Sequence, residues 1–583
     1  MPRYAPSAPG MRRTIATLLL CLSAAAPALA QDVENLYATT RDRLADRPLV
    51  LHGGITLGAA YNQFSGDRPR FDRYDFTAGA NLNADLLGFN IPVSLYFSDR
   101  NVLYRLPSYR FAGLSPSYKW ARVHLGDRNL DFSRYTFSDQ TFRGVGVELT
   151  PGKWTVKAMG GRLRYQSLFD VGARSGIEES YRRTGYAAEV GYRAGGWGVN
   201  AIAFAAEDEL PDATVGPAGA TLAAAPARNF VGSLGAFARV FGKVRLEGEY
   251  VRSYLTADLT APAVPDSLTA ASRPLPDRLS TTAADVIRVG LRHPVWRVGY
   301  ERVAPGYRSL GTLWLQDDRD DLTAGLTFGL GTAPGQGGGK RWTISVDGGV
   351  ERNGISERSR DRGRRAVGRV LANGTLAERL RLQGSYSNFN STSRLRGFLD
   401  PGTSTDSVFI AQVNQQAQLG ATYQPQAEIQ SALTAQLSLT DVSTLRDGRL
   451  DGFGSTVTSA FLGYDRAFEA SGFRFGVRGL YARTAAGPAS QTTYGPSVTA
   501  QQTLLDGRLA LAATSALTFV DFPESGRRSR VLNVRPTATY ALERFGRLTL
   551  TYTHNARSLD DAGPDARGRF RENLLSLQYG WTF

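Results

Sequence analysis

The chain has 583 residues and a formal net charge of +15, with 42% hydrophobic and 21% charged residues. Gly (63), Tyr (25) and Phe (28) are abundant and Met (3) is scarce, which is typical of a chain rich in strands and turns. These fractions exclude gross disorder and a polytopic helical membrane protein. The cations are mostly Arg and are dispersed along the chain, so the sequence predicts no nucleic-acid partner.

The N-terminus predicts a removable export signal over residues 1–30. Arg12 and Arg13 precede the apolar stretch 15–22, and small residues precede a cleavage site after Ala30. Translation from Met1 or from Met11 would both supply this signal. Cleavage leaves 583 − 30 = 553 residues and removes the only cysteine, Cys21, so the mature chain has no disulfide and no thiolate site.

From about residue 49 onward, apolar and polar residues alternate in segments of roughly ten, which predicts strands with two different faces. Leu322, Leu326 and Phe328, for example, alternate with Thr323 and Thr327. Two all-β folds fit this pattern. In a soluble sandwich the apolar faces meet in a core, whereas in a transmembrane barrel they meet lipid and the polar faces line the lumen.

Aromatic residues favour the barrel. Many strands carry an aromatic ring near one end of the apolar face, where a membrane interface would lie. We therefore expect two aromatic girdles containing Trp154, Trp197, Trp296, Trp342, Phe473 and Tyr481.

The connections favour it as well, because tight turns alternate with long polar loops. The predicted turns lie at Gly88, Pro151-Gly152, Gly195-Gly196, Gly242, Pro294, Gly335, Gly374, Pro425, Glu469, Asp506-Gly507 and Gly546. The predicted long loops are 208–227, 253–281, 353–364, 390–406 and 554–569. These turns imply about 24 strands, and a further turn at Gly126-Asp127 would raise the number to about 26.

The last strand resembles the C-terminal assembly signal of bacterial outer-membrane β-barrel proteins. Tyr579, Trp581 and the terminal Phe583 alternate with Gln578, Gly580 and Thr582. The resemblance implies one large antiparallel transmembrane barrel over 49–583, preceded by a short periplasmic segment, 31–48. It also implies short periplasmic turns, long extracellular loops, and contact with outer-membrane lipid, lipopolysaccharide and the barrel-assembly machinery.

A second resemblance covers about thirty residues. Residues 118–149, including Leu125-Gly126-Asp127 and the stretch Phe132, Ser133, Arg134, Tyr135, Thr136, Phe137, are similar to a segment of uncharacterised outer-membrane proteins of Bacteroidota-like bacteria. That family implies no chemistry for this chain. Two ordinary strands and a turn would produce the same pattern.

The residues predicted to face the lumen are charged, and Arg is in excess. They are Arg288, Arg292, Arg381, Arg474, Arg478, Arg535, Glu247 and Glu249, together with Asp85 and Asp347. Such a lining would favour anionic solutes, although the same charges could instead bridge across the wall and stabilise it. The four histidines, His52, His124, His293 and His554, show no metal-ligand spacing. We therefore predict no enzyme activity and no cofactor, and we interpret His124 as a lumen residue.

A wide barrel without additional domains predicts a porin-like channel for polar solutes. The excess of Arg favours anionic solutes among them. The N-terminal segment is too short for the plug domain of a TonB-dependent transporter, and the chain leaves no room for the periplasmic domains of an usher. The alternative is a structural barrel that a partner protein plugs in a surface or export complex. The lumen would be narrowed by loop 253–281 or by region 100–140, whose stretch 132–137 would fold inward if Gly126-Asp127 were not a turn.

Overall fold

The computed structural model describes residues 49–66, 73–86, 89–98, 110–164, 181–209, 225–259, 281–312, 315–331, 341–356, 361–396, 407–425, 430–446, 449–450, 454–487, 489–559 and 569–583. The predicted signal 1–30, its cleavage after Ala30 and segment 31–48 lie outside these residues. So do the predicted turns at Gly88 and Gly335 and most of loop 253–281.

The described chain forms one antiparallel sheet of strands that pair in chain order. The first strands are β1 (Leu49–Gly66), β2 (Tyr74–Leu86), β3 (Phe89–Ser98), β4 (Arg110–Leu114), β5 (Ser117–Tyr118), β6 (Ala121–Asn129), β7 (Thr141–Leu149), β8 (Trp154–Arg164), β9 (Arg183–Ala194), β10 (Trp197–Asp208), β11 (Arg228–Val240), β12 (Val244–Thr256), β13 (Thr281–Arg292) and β14 (Trp296–Val303).

The remaining strands are on average longer. They are β15 (Arg319–Gly331), β16 (Arg341–Asn353), β17 (Asp361–Ala377), β18 (Leu380–Arg396), β19 (Ser407–Tyr423), β20 (Ser431–Arg446), β21 (Arg449–Leu450), β22 (Ser455–Phe468), β23 (Phe473–Ala486), β24 (Ala489–Leu504), β25 (Leu509–Phe522), β26 (Arg527–Ala541), β27 (Arg547–Leu559) and β28 (Phe570–Thr582).

The sheet closes into a barrel because β1 pairs with both β2 and β28. β4 and β5 are two parts of one wall strand between β3 and β6, and β21 pairs only with the end of β20. The wall therefore has 28 − 2 = 26 strands. The predicted all-β barrel of about 24 to 26 strands is confirmed.

The two faces of the wall differ as predicted. On β15, Leu322, Leu326 and Leu330 are 53%, 41% and 52% exposed, and they alternate with Thr323 and Thr327. We call the face with exposed apolar side chains the outer face and the opposite one the inner face. Within the described residues, no helix is long and apolar enough to cross a membrane.

Short turns join the strands at one end of the barrel, the short-turn end. Trp154, Trp197 and Trp296 begin their strands there, and Trp342 is the second residue of β16. Phe473 also begins its strand, so five of the six predicted girdle residues lie at this end. Tyr481 lies eight residues farther along β23.

The opposite, long-loop end has longer connections in the first half of the chain, such as 130–140 between β6 and β7 and 304–318 between β14 and β15. In the second half the strands extend into the predicted loops. β18 continues to Arg396 and β27 to Leu559, and four residues join β25 to β26.

The predicted turn at Gly126-Asp127 is wrong, because both residues lie inside β6. Gly126 has φ +86°, and a Cβ there would collide with the Ala112 carbonyl oxygen. This irregularity lets Asp127 accept hydrogen bonds from the Ala112 N–H at 3.0 Å and from Arg143 at 2.8 Å. The additional turn lies instead between Tyr118 and Ala121.

The predicted turn at Gly374 is also displaced. Gly374 pairs with Trp342 inside β17, and the chain turns after Ala377. A Cβ at Gly374 would collide with the Trp342 indole ring. Glycine is needed at this position because an aromatic ring packs on the backbone. It does not mark a turn.

Candidate functional site

Two connections from the long-loop end fold onto the inner face of the barrel. Inner loop 1 is residues 130–140, and inner loop 2 is residues 304–312. They meet through a parallel bridge between Phe137 and Gly311, and the Ser138 N–H donates to the Gly311 carbonyl at 3.1 Å. The expectation that stretch 132–137 folds inward is confirmed.

Apolar contacts hold the inner loops against the wall. Tyr135 and Phe137 are fully buried, and Phe137 stacks on Phe204 of β10 with ring centroids 5.8 Å apart. Val231 and Val251 are fully buried in the same cluster. The inner loops therefore form a small hydrophobic core inside an otherwise polar lumen.

Polar contacts fix the position of inner loop 1. Ser133 donates to Glu249 of β12 at 2.5 Å, and Glu249 also accepts from Ser233 at 2.7 Å. The Tyr135 hydroxyl donates to Glu301 of β14 at 2.8 Å. Glu301 also pairs with Arg134.

Inner loop 2 is held by backbone acceptors. The Tyr307 hydroxyl donates to the Tyr135 carbonyl at 2.6 Å, and Ser309 donates to the Thr136 carbonyl at 2.5 Å. On the wall, Ser253 donates to the Arg308 carbonyl at 2.6 Å. Burial raises the pKa of both the Tyr135 and the Tyr307 phenol, so both remain protonated donors.

The predicted lumen residues near the inner loops form ion pairs and hydrogen bonds. Glu247 lies 3.1 Å from Arg288 and 3.9 Å from Arg292. Glu249 binds inner loop 1, as described above. Arg134, Arg245 and Arg288 surround a cavity of about 350 Å³ beneath the loop, together with Glu247 and Glu249.

The predicted lumen residues of the second half lie apart from the inner loops. Arg478 pairs with Asp465 at 3.1 Å. Within the described ranges, Arg381, Arg474 and Arg535 form no ion pair. Arg474 lines a cavity of about 680 Å³ with Asp465. Asp347 pairs with Arg297 at 2.5 Å, and Asp85 lies 3.8 Å from His52.

Neutral polar side chains cover much of the inner face in this second half. Hydroxyl groups pair between neighbouring strands, as in Ser438 with Ser459 at 2.6 Å and Thr537 with Thr551 at 3.3 Å. Gln416 and Gln418 of β19 share the face of Ser438. This wall has many hydrogen-bonding groups for water and few fixed negative charges.

His124 lies on the inner face but is buried. Its Nδ1 is 2.9 Å from the Ser115 hydroxyl and its Nε2 is 3.5 Å from Glu148. Ser115 and His124 are both less than 10% exposed, so a solute in the lumen does not reach them. The described residues contain no cluster of three His, Cys, Asp or Glu side chains able to hold a metal ion.

Sequence reasoning missed inner loop 2. It binds the wall through backbone groups, the Arg308 carbonyl and the Leu310 N–H, which almost any sequence supplies. Tyr307 and Leu310 were the only signal, because buried apolar residues are unusual in a connection between strands.

No protein-family model and no curated protein matches this chain. Among solved structures, the copper transporter OprC matches at a TM-score of 0.38 and 10% identity, over 91% of this chain and 80% of that one. An E. coli P pilus tip assembly intermediate, PapC-PapD-PapK-PapG, matches at 0.36 and 13%, over 90% and 60%. Pseudomonas aeruginosa OccK2 (OpdF) matches at 0.28 and 11%, over 92% and 98%.

All three TM-scores are below 0.5, so the classification depends on the wall itself. Closure by β1 and β28 leaves no unpaired edge in the wall of described strands, which is the condition for spanning a bilayer with strands. The exposed apolar side chains of the outer face supply the surface that lipid requires. The described chain therefore forms a closed antiparallel β-barrel with the two features that a wall spanning a bilayer requires.

Proposed function

We propose that the protein is an outer-membrane channel that passes polar solutes and prefers anions. The observation behind this proposal is the unequal lining of the lumen. The inner loops pack on strands β7 to β14, whereas among the described residues no segment packs on the inner face of β22 to β26.

The size of the barrel supports this route. Twenty-six strands spaced about 4.8 Å apart and tilted by about 40° close a ring roughly 50 Å across. Two short inner loops on one wall occupy a small part of that width. A hydrated path along the opposite wall would pass hydroxyl and amide groups together with Arg474, Arg478 and Arg535.

The preference for anions follows from charge. In this path Asp465 is the partner of Arg478, while Arg474 and Arg535 have no carboxylate partner among the described residues. Fixed cations along a pore raise the local concentration of anions and repel cations.

Conductance in planar bilayers tests the proposal. Purified protein under a KCl gradient should give a reversal potential of the sign expected for chloride permeation. The triple variant Arg474→Gln, Arg478→Gln, Arg535→Gln should shift that potential toward zero and retain conductance.

A matched control removes equal charge from the outer face, by Arg483→Gln, Arg530→Gln and Arg571→Gln. It should leave the reversal potential unchanged. Equal shifts in both triple variants would contradict an anion path along this wall. A folded barrel that conducts only after a copurifying protein is removed would support the partner-plugged alternative, which the width of the ring favours.

A further inference from the structure

Three arginines form a row across four neighbouring strands. Arg302 of β14 is the Cα partner of Asp320 of β15, which is the partner of Arg352 of β16. Arg352 is in turn the partner of Arg364 of β17. We call Arg302, Arg352 and Arg364 the arginine cluster.

The arginine cluster lies on the outer face. Arg302 follows the buried inner-face residue Glu301 and shares its side of β14 with the exposed Tyr300. Asp320 shares the side of the exposed Leu322. Because side chains two residues apart share a face and paired residues point the same way, Arg352 and Arg364 also point outward.

The row carries more positive than negative charge. Arg352 binds Asp320 through two hydrogen bonds, of 2.9 and 2.8 Å, and its side chain stays 64% exposed. Within the described part of the chain, the guanidinium groups of Arg302 and Arg364 have no ion-pair partner. Wall stabilisation alone would need one carboxylate for each arginine, and the row supplies only Asp320.

The height of the row matches the edge of a membrane. Ten residues separate Trp342 at the short-turn end from Arg352 on the same strand. At about 3.3 Å per residue and a tilt of about 40°, this is a rise of roughly 25 Å, the height of the apolar band of such barrels.

A distant strand repeats this spacing. Trp581 and Arg571 on β28 are also ten residues apart and share the outer face. Arg302 stands six residues from Trp296 and is therefore lower, but a long arginine side chain reaches toward the interface from within the apolar band. The arginine cluster thus lies at the level of the headgroups of the outer leaflet.

We propose that the arginine cluster binds the phosphate groups of an anionic lipid of the outer leaflet. The planar guanidinium group matches the oxygens of a phosphate and is less strongly hydrated than an ammonium group. Arg302 and Arg364 are three strand spacings apart, or about 14 Å, so the row can bind two phosphates of one large headgroup. This site depends on the position of the barrel in the membrane and not on conduction through it.

Native mass spectrometry of the full-length protein in detergent tests the proposal. The probes are diphosphoryl lipid A, monophosphoryl lipid A and phosphatidylcholine. The wild-type protein should retain diphosphoryl lipid A best and the zwitterionic lipid least. The triple variant Arg302→Gln, Arg352→Gln, Arg364→Gln should lower diphosphoryl lipid A binding by at least about tenfold.

The lumen variant Arg474→Gln, Arg478→Gln, Arg535→Gln removes the same charge from the inner face and should retain wild-type lipid binding. Heat-modifiable migration in gels shows that each variant is folded, and replacement of the cluster by lysines should restore part of the binding. Competition by millimolar inorganic phosphate would identify a free-anion site. Such competition would overturn the proposal. Equal losses of lipid binding in both triple variants, or no loss in the cluster variant, would overturn it as well.

Discussion

Glu301 shows how single residues hold the inner loops in a polar lumen. It accepts from Tyr135, pairs with Arg134, and lies 2.8 Å from Arg319 of β15. A buried carboxylate needs several such partners, because removal from water is costly. The wall thus supplies the carboxylate, and inner loop 1 supplies donors, among them Arg134, and aromatic rings.

Phe137 provides a direct test of this packing. The Phe137→Ala substitution should weaken the binding of inner loop 1 to the wall by about 3–5 kcal/mol, because a fully buried ring is replaced by a cavity. We expect inner loop 1 to leave the wall more often, with faster proteolysis within 130–140 and a larger single-channel current.

The control is Phe241→Ala, since Phe241 is 96% exposed in a turn. That variant should match the wild type in both measurements. Unchanged proteolysis and current in Phe137→Ala would show that the inner loops do not limit the pore.

At this scale, the sequence predicted part of the site. The aromatic stretch 132–137 was recognisable because apolar rings are unusual in a polar connection. Its partners were not, because Glu249, Glu301 and Tyr307 lie more than one hundred residues away along the chain and come close only when the barrel folds.

The elements follow the alternation of apolar and polar residues with few exceptions. Alternation fixes the two faces of a strand, and a shift of one residue would exchange them. It does not fix where a strand ends, because the strands continue past the apolar band. Arg352 and Arg364 interrupt the apolar pattern although both lie within strands, so 353–364 was predicted to be a longer loop than it is.

Adjacent positions on β15 test the assignment of faces. Leu326→Arg should lower the free energy of unfolding by about 2–4 kcal/mol, because a charge replaces an apolar side chain within the lipid-facing band. Thr327→Arg should be tolerated, since Thr327 lies on the inner face, 3.1 Å from Ser345. Urea unfolding in detergent or lipid vesicles measures both.

Ile344→Arg and Ser345→Arg on β16 repeat the comparison one strand away. Ile344 is the partner of Phe328 and Ser345 that of Thr327. Equal destabilisation at inner and outer positions would mean that the apolar face does not meet lipid.

For the whole molecule, the strand number was predictable from the rhythm of turns, although two turns were misplaced. Glycine marks turns, and it also marks close approaches such as Gly374 under Trp342. The true additional turn, at Lys119-Trp120, contains neither Gly nor Pro. The count of 26 depended on the long stretch between the predicted turns at Gly88 and Pro151-Gly152, which has room for one more turn.

The last strand tests assembly. Deletion of Phe583 should leave export and removal of the signal unchanged while the amount of heat-modifiable barrel falls sharply, because Phe583 exchanges backbone hydrogen bonds with Gly53 of 3.0 and 3.1 Å. Gln578→Ala, on the inner face of the same strand, serves as the control and should assemble normally. Undiminished barrel after the deletion would remove Phe583, with Trp581 and Tyr579, from the assembly signal.

The pairing of β1 with β28 also sets the order of events during biogenesis. β1 must remain without one neighbour until β28 has been exported, because β28 follows every other described strand in the chain. Throughout that interval one edge offers unsatisfied N–H and C=O groups to any other strand nearby. Pairing of two strands more than five hundred residues apart is slow, because the chain between them must first bring them together. A helper that holds the open edge would shorten the time during which two copies can pair with each other.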